Sequence, residues 1–415
     1  MEIHESLNDP EFFAVADYHA ALRELRHNDP VHWGVGRHGW AYWSVTRYED
    51  CQAVYRDPQT FCSSRGIGLP TNPPEEERRA EELGGNLMMI QLDPPRHTKV
   101  RQVFKKWFTP LAISRMELEF RAIAAELIDA VAERGSCDLV VDLAARMPTA
   151  VICQMLAVPK SDWNHMISLG NRSVGATDPE YQNGASAADT ARQAQAGIFE
   201  YFGAMLGARR ARPGSDLVSV VANCEVEGRK LDDREALADC FLLLLGGLET
   251  TRNAISGGVL ELMRQHEQRE LLLAQPQLIN SAVEEILRWT SPIAHIMRTA
   301  TRDTELAGRS IKCGQKVAIW NASANRDELV FSDPYRFDIT RSPNYHLAFG
   351  YGEHFCLGSN LARLEIKVMV EEILRRLRYL ELDGEVQRLR SCVVAGIKHL
   401  PVKFTAVDAP SARAH

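Results

Sequence analysis

The tightest constraint on the fold lies in residues 231–265. This stretch opens on Asp232 with Glu235 three residues later, the spacing of a capping box. It then turns apolar on every side through FLLLLGGL. A helix that is apolar all round has no solvent face, so it must cross the centre of a large core. Its longest apolar run, residues 240–248, falls far short of the ~20 residues that span a bilayer. In the middle of the stretch Gly246, Gly247, Glu249, Thr250 and Thr251 interrupt the apolar run. Interior glycines cost about 1 kcal/mol each relative to alanine, and a buried carboxylate costs more unless it is paired. Something at this point needs space and polarity.

Around this helix the spacing is mostly helical, as in MELEFRAIAAELIDAVAERG, which stops on Gly135. Residues 32–45 (HWGVGRHGWAYWSV) alternate and turn at Gly36 and Gly39, which predicts a β-hairpin. Residues 305–320 form a second β-rich patch with a turn at Ala307 and Gly308. The predicted class is mainly α with a small β region. A length of 415 residues allows two or three domains, but no linker, repeat or low-complexity block divides the chain, and one large domain fits as well. Residues 65–85, which hold the charged run EEERRAEE, read as a loop with a short surface helix. Residues 175–184 (GATDPEYQNG) read as another long loop, either a lid or a solvated connection.

The acidic N-terminus lacks the order of a signal peptide, which predicts a cytoplasmic protein without membrane insertion. A net charge of −7, from 48 basic and 55 acidic residues, argues against general nucleic-acid binding. Nine cysteines without a CxxC pair read mostly as reduced, buried thiols.

One cysteine has a different setting. FGYGEHFCLG, residues 349–358, places Cys356 among three glycines and ahead of the amphipathic segment LGSNLARLEIKVMVEEILRRL. As a zinc ligand Cys356 lacks partner cysteines. As a nucleophile it has only His354, two residues away and poorly placed as a base. As a buried thiol it needs no explanation. The glycines, however, let the backbone adopt positive φ and lie close to a flat object, and Gly358 offers no side chain where a ring would sit. A helix N-terminus contributes at most about 2 kcal/mol to a nearby anion, which is too little to hold a thiolate alone. A metal cation deprotonates a coordinating thiol outright.

Position by position, Phe349-Gly350-Tyr351-Gly352-Glu353-His354-Phe355-Cys356-Leu357-Gly358 resembles the haem-binding loop of the cytochrome P-450 superfamily in its soluble bacterial form. The resemblance extends over nearly the whole chain. It implies a single triangular domain over residues 1–415 that holds haem b (iron protoporphyrin IX), with Cys356 as the metal ligand and Phe349 and Gly358 at the cofactor. Glu285 and Arg288 resemble the family's E-x-x-R pair, and Arg336 matches the arginine that completes this network. His97, Arg101, Arg298 and His354 match positions that bind the haem propionates. Gly246-Gly247-Leu248-Glu249-Thr250-Thr251 resembles the distal groove, with Gly246 in place of a more usual alanine. There Thr250 would hydrogen-bond dioxygen and a water, and Glu249 would relay protons.

The implied reaction is monooxygenation, the hydroxylation or epoxidation of an apolar small molecule with O2 and two electrons. No GxGxxG follows a strand, so the electrons are expected from a ferredoxin and its reductase. Lys99, Lys105, Lys106 and Arg363 are the expected docking patch. By the same resemblance Leu87, Met88, Met89, Leu243, Gly246, Ile293, Ala294, His295 and Ile397 line the pocket, with His295 as its polar member. DPEY and ETTRNAIS resemble members acting on steroids, lipids or tailored natural products. The expected substrate is a polyketide, peptide or terpenoid/steroid skeleton from secondary metabolism, free or carrier-bound. The alternatives are a haem-thiolate enzyme of oxidative coupling or peroxide use, and a haem-based binding or sensor protein.

Overall fold

The computed structural model describes residues 3–15, 17–73, 75 and 86–407. Its organising element is the predicted central helix, Asp233–Arg264, which at 32 residues is the longest described. Asp232 accepts from the Glu235 N–H at 2.9 Å while the Glu235 carboxylate accepts from the Asp232 N–H at 3.0 Å, so the capping box is complete. At ~1.5 Å per residue the helix runs about 48 Å. Helices Arg146–Met155, Trp163–Val174, Ala187–Ala211, Ile279–Thr290 and Ser359–Arg376 all pack against it. Two of its glycines exist for close approach. A Cβ on Gly247 would lie 2.7 Å from Ile152, and one on Gly258 would lie 2.7 Å from Ile286.

Both β readings hold, with one extension. Strands Val31–Val35 and Ala41–Val45 form the first hairpin, and Thr304–Leu306 pairs with Arg309–Ile311 through left-handed Ala307 (φ 48°) and Gly308 (φ 77°). The end of the second patch, Lys316–Ile319, joins the first hairpin instead, pairing parallel to Ala41–Val45 and antiparallel to Ile296–Ala300. Phe61–Cys62 completes that five-stranded sheet. Helix Glu117–Ala132 ends before Gly135, which has φ 66°. The loop at 175–184 contains the short helix Pro179–Gln182. The surface helix expected within 65–85 falls largely outside the described residues. Among the described residues no helix is long and apolar enough to cross a membrane.

The cysteine loop rests on a buried polar platform. Glu285 and Arg288 are both 0% exposed and bond twice, at 2.7 and 2.8 Å. Arg288 spends its other N–H groups on the carbonyls of Asn325, Pro334 and Arg336, so all five donors are satisfied. The guanidinium that completes the network belongs to Arg341, whose Nε lies 3.2 Å from Glu285 Oε2. Arg336 was the expected partner, but its side chain is exposed and it contributes only its carbonyl oxygen. The chain turns between Pro334 and Asp338, which aims the Arg336 side chain outward while bringing the backbone in.

Removing one partner of a buried ion pair leaves an uncompensated charge and costs about 3–5 kcal/mol. Arg341→Ala is therefore expected to lower unfolding stability by about 3 kcal/mol, whereas Arg336→Ala changes it by about 0.5 kcal/mol or less. Denaturant unfolding of both variants, followed by far-UV circular dichroism, measures the difference.

Candidate active site

Cys356 is presented by a tight loop. Gly350 and Gly352 both take φ 69°, which a side chain resists, and a Cβ on Gly352 would meet the Tyr55 carbonyl at 2.8 Å. The Cys356 N–H donates to the Phe349 carbonyl at 2.9 Å, closing the loop. Gly358 departs from the positive φ expected of it. It sits at φ −84° as the residue before helix Ser359–Arg376, and a Cβ there would meet nothing within 4 Å. Burial pushes the Cys356 thiol up, while the Gly358 N–H and the cations Arg101 and Arg363 pull it down. Arg363 holds Glu284 through two bonds of 2.6 and 2.9 Å, lies 4.6 Å over the Phe349 ring, and so braces the loop from behind.

Two arginines and two histidines named from the sequence gather here. His97 and Arg101 stand one turn apart on helix Arg96–Lys105, and Arg101 donates to the Phe355 carbonyl beside the cysteine. The His97 and His354 rings stack at 3.9 Å, and Ser63 Oγ lies 3.2 Å from His354 Nε2. Burial, reinforced by the neighbouring cations, lowers His97 to about 4 and His354 to about 2. Arg298, on strand Ile296–Ala300, is 4% exposed and donates to the Met297 carbonyl, with no carboxylate in ion-pair contact among the described residues. His97 Nδ1 is buried without a partner among the described residues.

On the central helix Leu243, Gly246 and Thr250 repeat at the helical period and share one face. Gly246 is exposed in the middle of an otherwise interior helix, and a Cβ added there meets nothing within 4 Å. Thr250 Oγ1 donates to the Gly246 carbonyl at 3.2 Å, which places its hydroxyl beside that opening. Glu249 is turned away from it. Its buried carboxylate pairs with Arg252, which reaches Asn171 at 2.6 Å. Burial raises the Glu249 carboxyl and the Arg252 charge partly offsets this.

Two acids were not found from the sequence. Glu365 is buried beneath Thr251, which hydrogen-bonds to it, and burial raises its carboxyl well above the usual range. Asp239 lies on the same face as Leu243 and Gly246; burial pushes it up to about 7, and its Oδ1 accepts from the Met89 N–H at 2.8 Å. Each sits on the apolar stripe of its helix, and a charge in that register was the available signal.

The expected pocket residues come from three segments. Leu87, Met88 and Met89 are held to the central helix by Asp239. Ile293 and Ala294 face the C-terminal hairpin through the Ile293–Val394 bridge and the Ala294 N–H bond to Val393, and Ile397 lies on that hairpin. His295 is not a polar pocket group. Its Nε2 accepts from the Leu69 N–H at 3.1 Å and its Nδ1 donates to the Cys392 carbonyl at 3.0 Å, so both nitrogens are spent on fastening loops. The expected docking patch is also thinner than its sequence. Lys99 pairs with Glu227 and Arg363 with Glu284, which leaves Lys105 and Lys106 exposed. Among the described residues no group of three metal-ligating side chains stands together, so Cys356 finds no zinc partners.

A family model described as cytochrome P450 matches residues 186–397. The steroid C26-monooxygenase of Mycobacterium tuberculosis is 39% identical over 409 residues, 96% of each chain. The methyl-branched lipid omega-hydroxylase of the same organism is 40% identical over 372 residues, 88% of this chain and 85% of that one. Among solved structures, a Mycobacterium marinum cytochrome P450 in complex with pseudoionone matches with a TM-score of 0.89 at 32% identity, covering 95% of this chain and 97% of that one. Fold and loop thus define a mainly helical haem protein of the bacterial monooxygenase type. The chain belongs to the cytochrome P450 family, and its activity is that of a cytochrome P450 monooxygenase with haem as cofactor.

The His295 geometry has a titration consequence. Burial lowers its imidazole to about 4, so between pH 6.5 and 4 the unfolded chain takes up a proton that the folded chain does not. Its contribution to stability is present above pH 6.5 and lost as pH falls through this window. His295→Gln should flatten the acid limb by up to about 1.4 kcal/mol per pH unit, as read by urea unfolding at pH 4.5 to 7.

Proposed function

We propose that this chain is a single-domain, cytoplasmic haem-thiolate hydroxylase of apolar terpenoid- or steroid-like molecules, with Cys356 as the ligand of the haem iron. The observation that carries this reading is the cluster of two arginines and two hydrogen-bonding imidazoles beside Cys356. Among the described residues His97 and Arg298 are buried, His97 Nδ1 is unpartnered, and Arg298 makes no ion pair, with Asp93 acting on it only through space. A buried guanidinium without an anion is costly, and haem propionates supply the missing negative charge. His354 and Arg101 extend the same edge. Gly246 and Gly358 leave the space that a flat ring needs, and Phe349 closes the loop behind it. The residues present therefore fit the cofactor.

When bound, thiolate-ligated haem supplies the activation of dioxygen. The protein's own part is orientation, exclusion of water and movement of protons. Thr250 Oγ1 spends its own proton on the Gly246 carbonyl and so presents an acceptor at the opening, where it holds the proton of a water or of a protonated oxygen in place. Glu249, its charge balanced by Arg252 and with Asn171 beyond that guanidinium, is the acid that exchanges protons with solvent water. The named pocket walls, Leu87, Met88, Leu243, Ile293 and Ile397, are apolar, and with His295 tied up they offer no charge to a substrate. Relatives named for steroid C26 and methyl-branched lipid omega oxidation support a terpenoid or steroid skeleton presented by its hydrocarbon end. Electrons come from a ferredoxin and its reductase, docking over Lys105 and Lys106.

Reduced protein with carbon monoxide should give the strongly red-shifted Soret band of thiolate ligation, and Cys356→Ser should abolish it; retention of the band would transfer the ligand role to another residue. In Thr250→Ala, haem and substrate binding should persist while coupling of oxygen consumption to product falls by about 10²-fold or more, with hydrogen peroxide released instead. Peroxide assay beside product analysis measures this, and unaltered coupling would favour a peroxide-using or coupling enzyme.

A further inference from the structure

The loop at 175–184 is fastened by charge. Asp178, fully buried, caps the short helix Pro179–Gln182, accepts from the Arg390 N–H at 3.1 Å and pairs with Lys398 at 3.0 Å. Glu180 pairs with Lys398 at 2.9 Å and with His399 at 2.9 Å, and His399 reaches Asp138 at 2.6 Å. Burial pulls the Lys398 ammonium down, yet Glu180 and Asp178 outweigh it and leave it raised, so the lysine stays charged. Lys398 directly follows Ile397 on strand Ile397–His399, and the hairpin bearing both meets Ile293 through Val394. One ammonium therefore ties the loop to a wall of the pocket.

Apolar packing would hold such a loop permanently, whereas ion pairs exposed to solvent contribute little and exchange readily with water. Here a buried ion pair and a solvent-exposed one share the same ammonium, with Asp178 at 0% and Glu180 at 37% side-chain exposure. The arrangement keeps a firm hinge at Asp178 and a releasable contact at Glu180.

We propose that Lys398 is a positioning residue for substrate: bridging Asp178 and Glu180 to the strand of Ile397, it sets the separation between the loop and this pocket wall and so the size of ligand admitted. The proposal rests on the haem-pocket reading above. It is tested on the haem-loaded protein by stopped-flow association of two iron-binding probes, imidazole and the bulky azole clotrimazole. Lys398→Ala should speed clotrimazole association about fivefold and leave imidazole within about twofold. Lys398→Arg should restore most of the wild-type rate. Raising salt from about 0.05 to about 0.5 M should speed clotrimazole entry in the wild type and not in Lys398→Ala. Glu180→Gln, at a half-exposed position, repeats the test without risk to folding and should show a smaller effect of the same sign. Equal acceleration of both probes, or none in either variant, would overturn the proposal. Absence of any azole-induced Soret shift in the wild type would overturn the haem reading itself, and the proposal with it.

Discussion

The structure depends on the buried carboxylate of Glu285. It accepts from Arg288, Arg341, Asn344 and the Asp338 N–H, while Arg288 in turn holds three backbone carbonyls between Asn325 and Arg336. The segment from Asn325 to Asn344 has little regular structure, so its backbone polar groups need partners from elsewhere. The ion pair supplies them. Such pairs add little net stability over apolar packing, because desolvation consumes most of the Coulombic gain. What this one provides is a unique path for an irregular chain that must deliver Cys356 in one orientation. Glu284, one residue earlier, extends the platform to His346 and Arg363.

Against this satisfied network stands a site whose polar groups are not satisfied within the protein. His97 Nδ1 is unpartnered and Arg298 is buried away from any paired carboxylate among the described residues. The contrast is physical. Where the chain must specify its own path, all five donors of Arg288 find acceptors. Where it must receive an anionic, planar group, donors are left for the ligand to fill, and folding is linked to binding by mass action.

Legibility in the sequence followed the range of the interactions. The central helix could be read from its capping box and all-round apolarity, and the hairpins from alternation and turn glycines, because these signals are local. The cysteine loop was read because its glycines and thiol lie within ten residues. The choice of Arg341 over Arg336 was not legible, since both are arginines of one irregular segment and only the turn at Pro334–Asp338 decides which guanidinium points inward. His295 looked like a pocket group because it adjoins Ile293 and Ala294, but its partners, Leu69 and Cys392, lie far away in sequence. Asp178 and Lys398 are separated by 220 residues, and no local pattern joins them.

The central helix resolves the conflict between burial and polarity by angular separation. Successive residues differ by about 100° around a helix, so Glu249, Thr250 and Thr251 address three different surroundings. Thr250 faces the opening beside Gly246, Glu249 the Arg252 and Asn171 side chains, and Thr251 the buried Glu365 of the helix that follows Cys356. Burial raises both carboxyls, and for Glu249 the Arg252 charge partly offsets this. Of the two, Glu249 alone has a cation beside it among the described residues, so its charge is the one balanced in the interior. Among the described residues Glu365 lacks such a partner and its Oε2 is bare of hydrogen bonds, so ionising it is more costly. The asymmetry sets the two acids apart: Glu249 is balanced by a charge on its own helix, and Glu365 supports Thr251 from beneath without such a partner among the described residues.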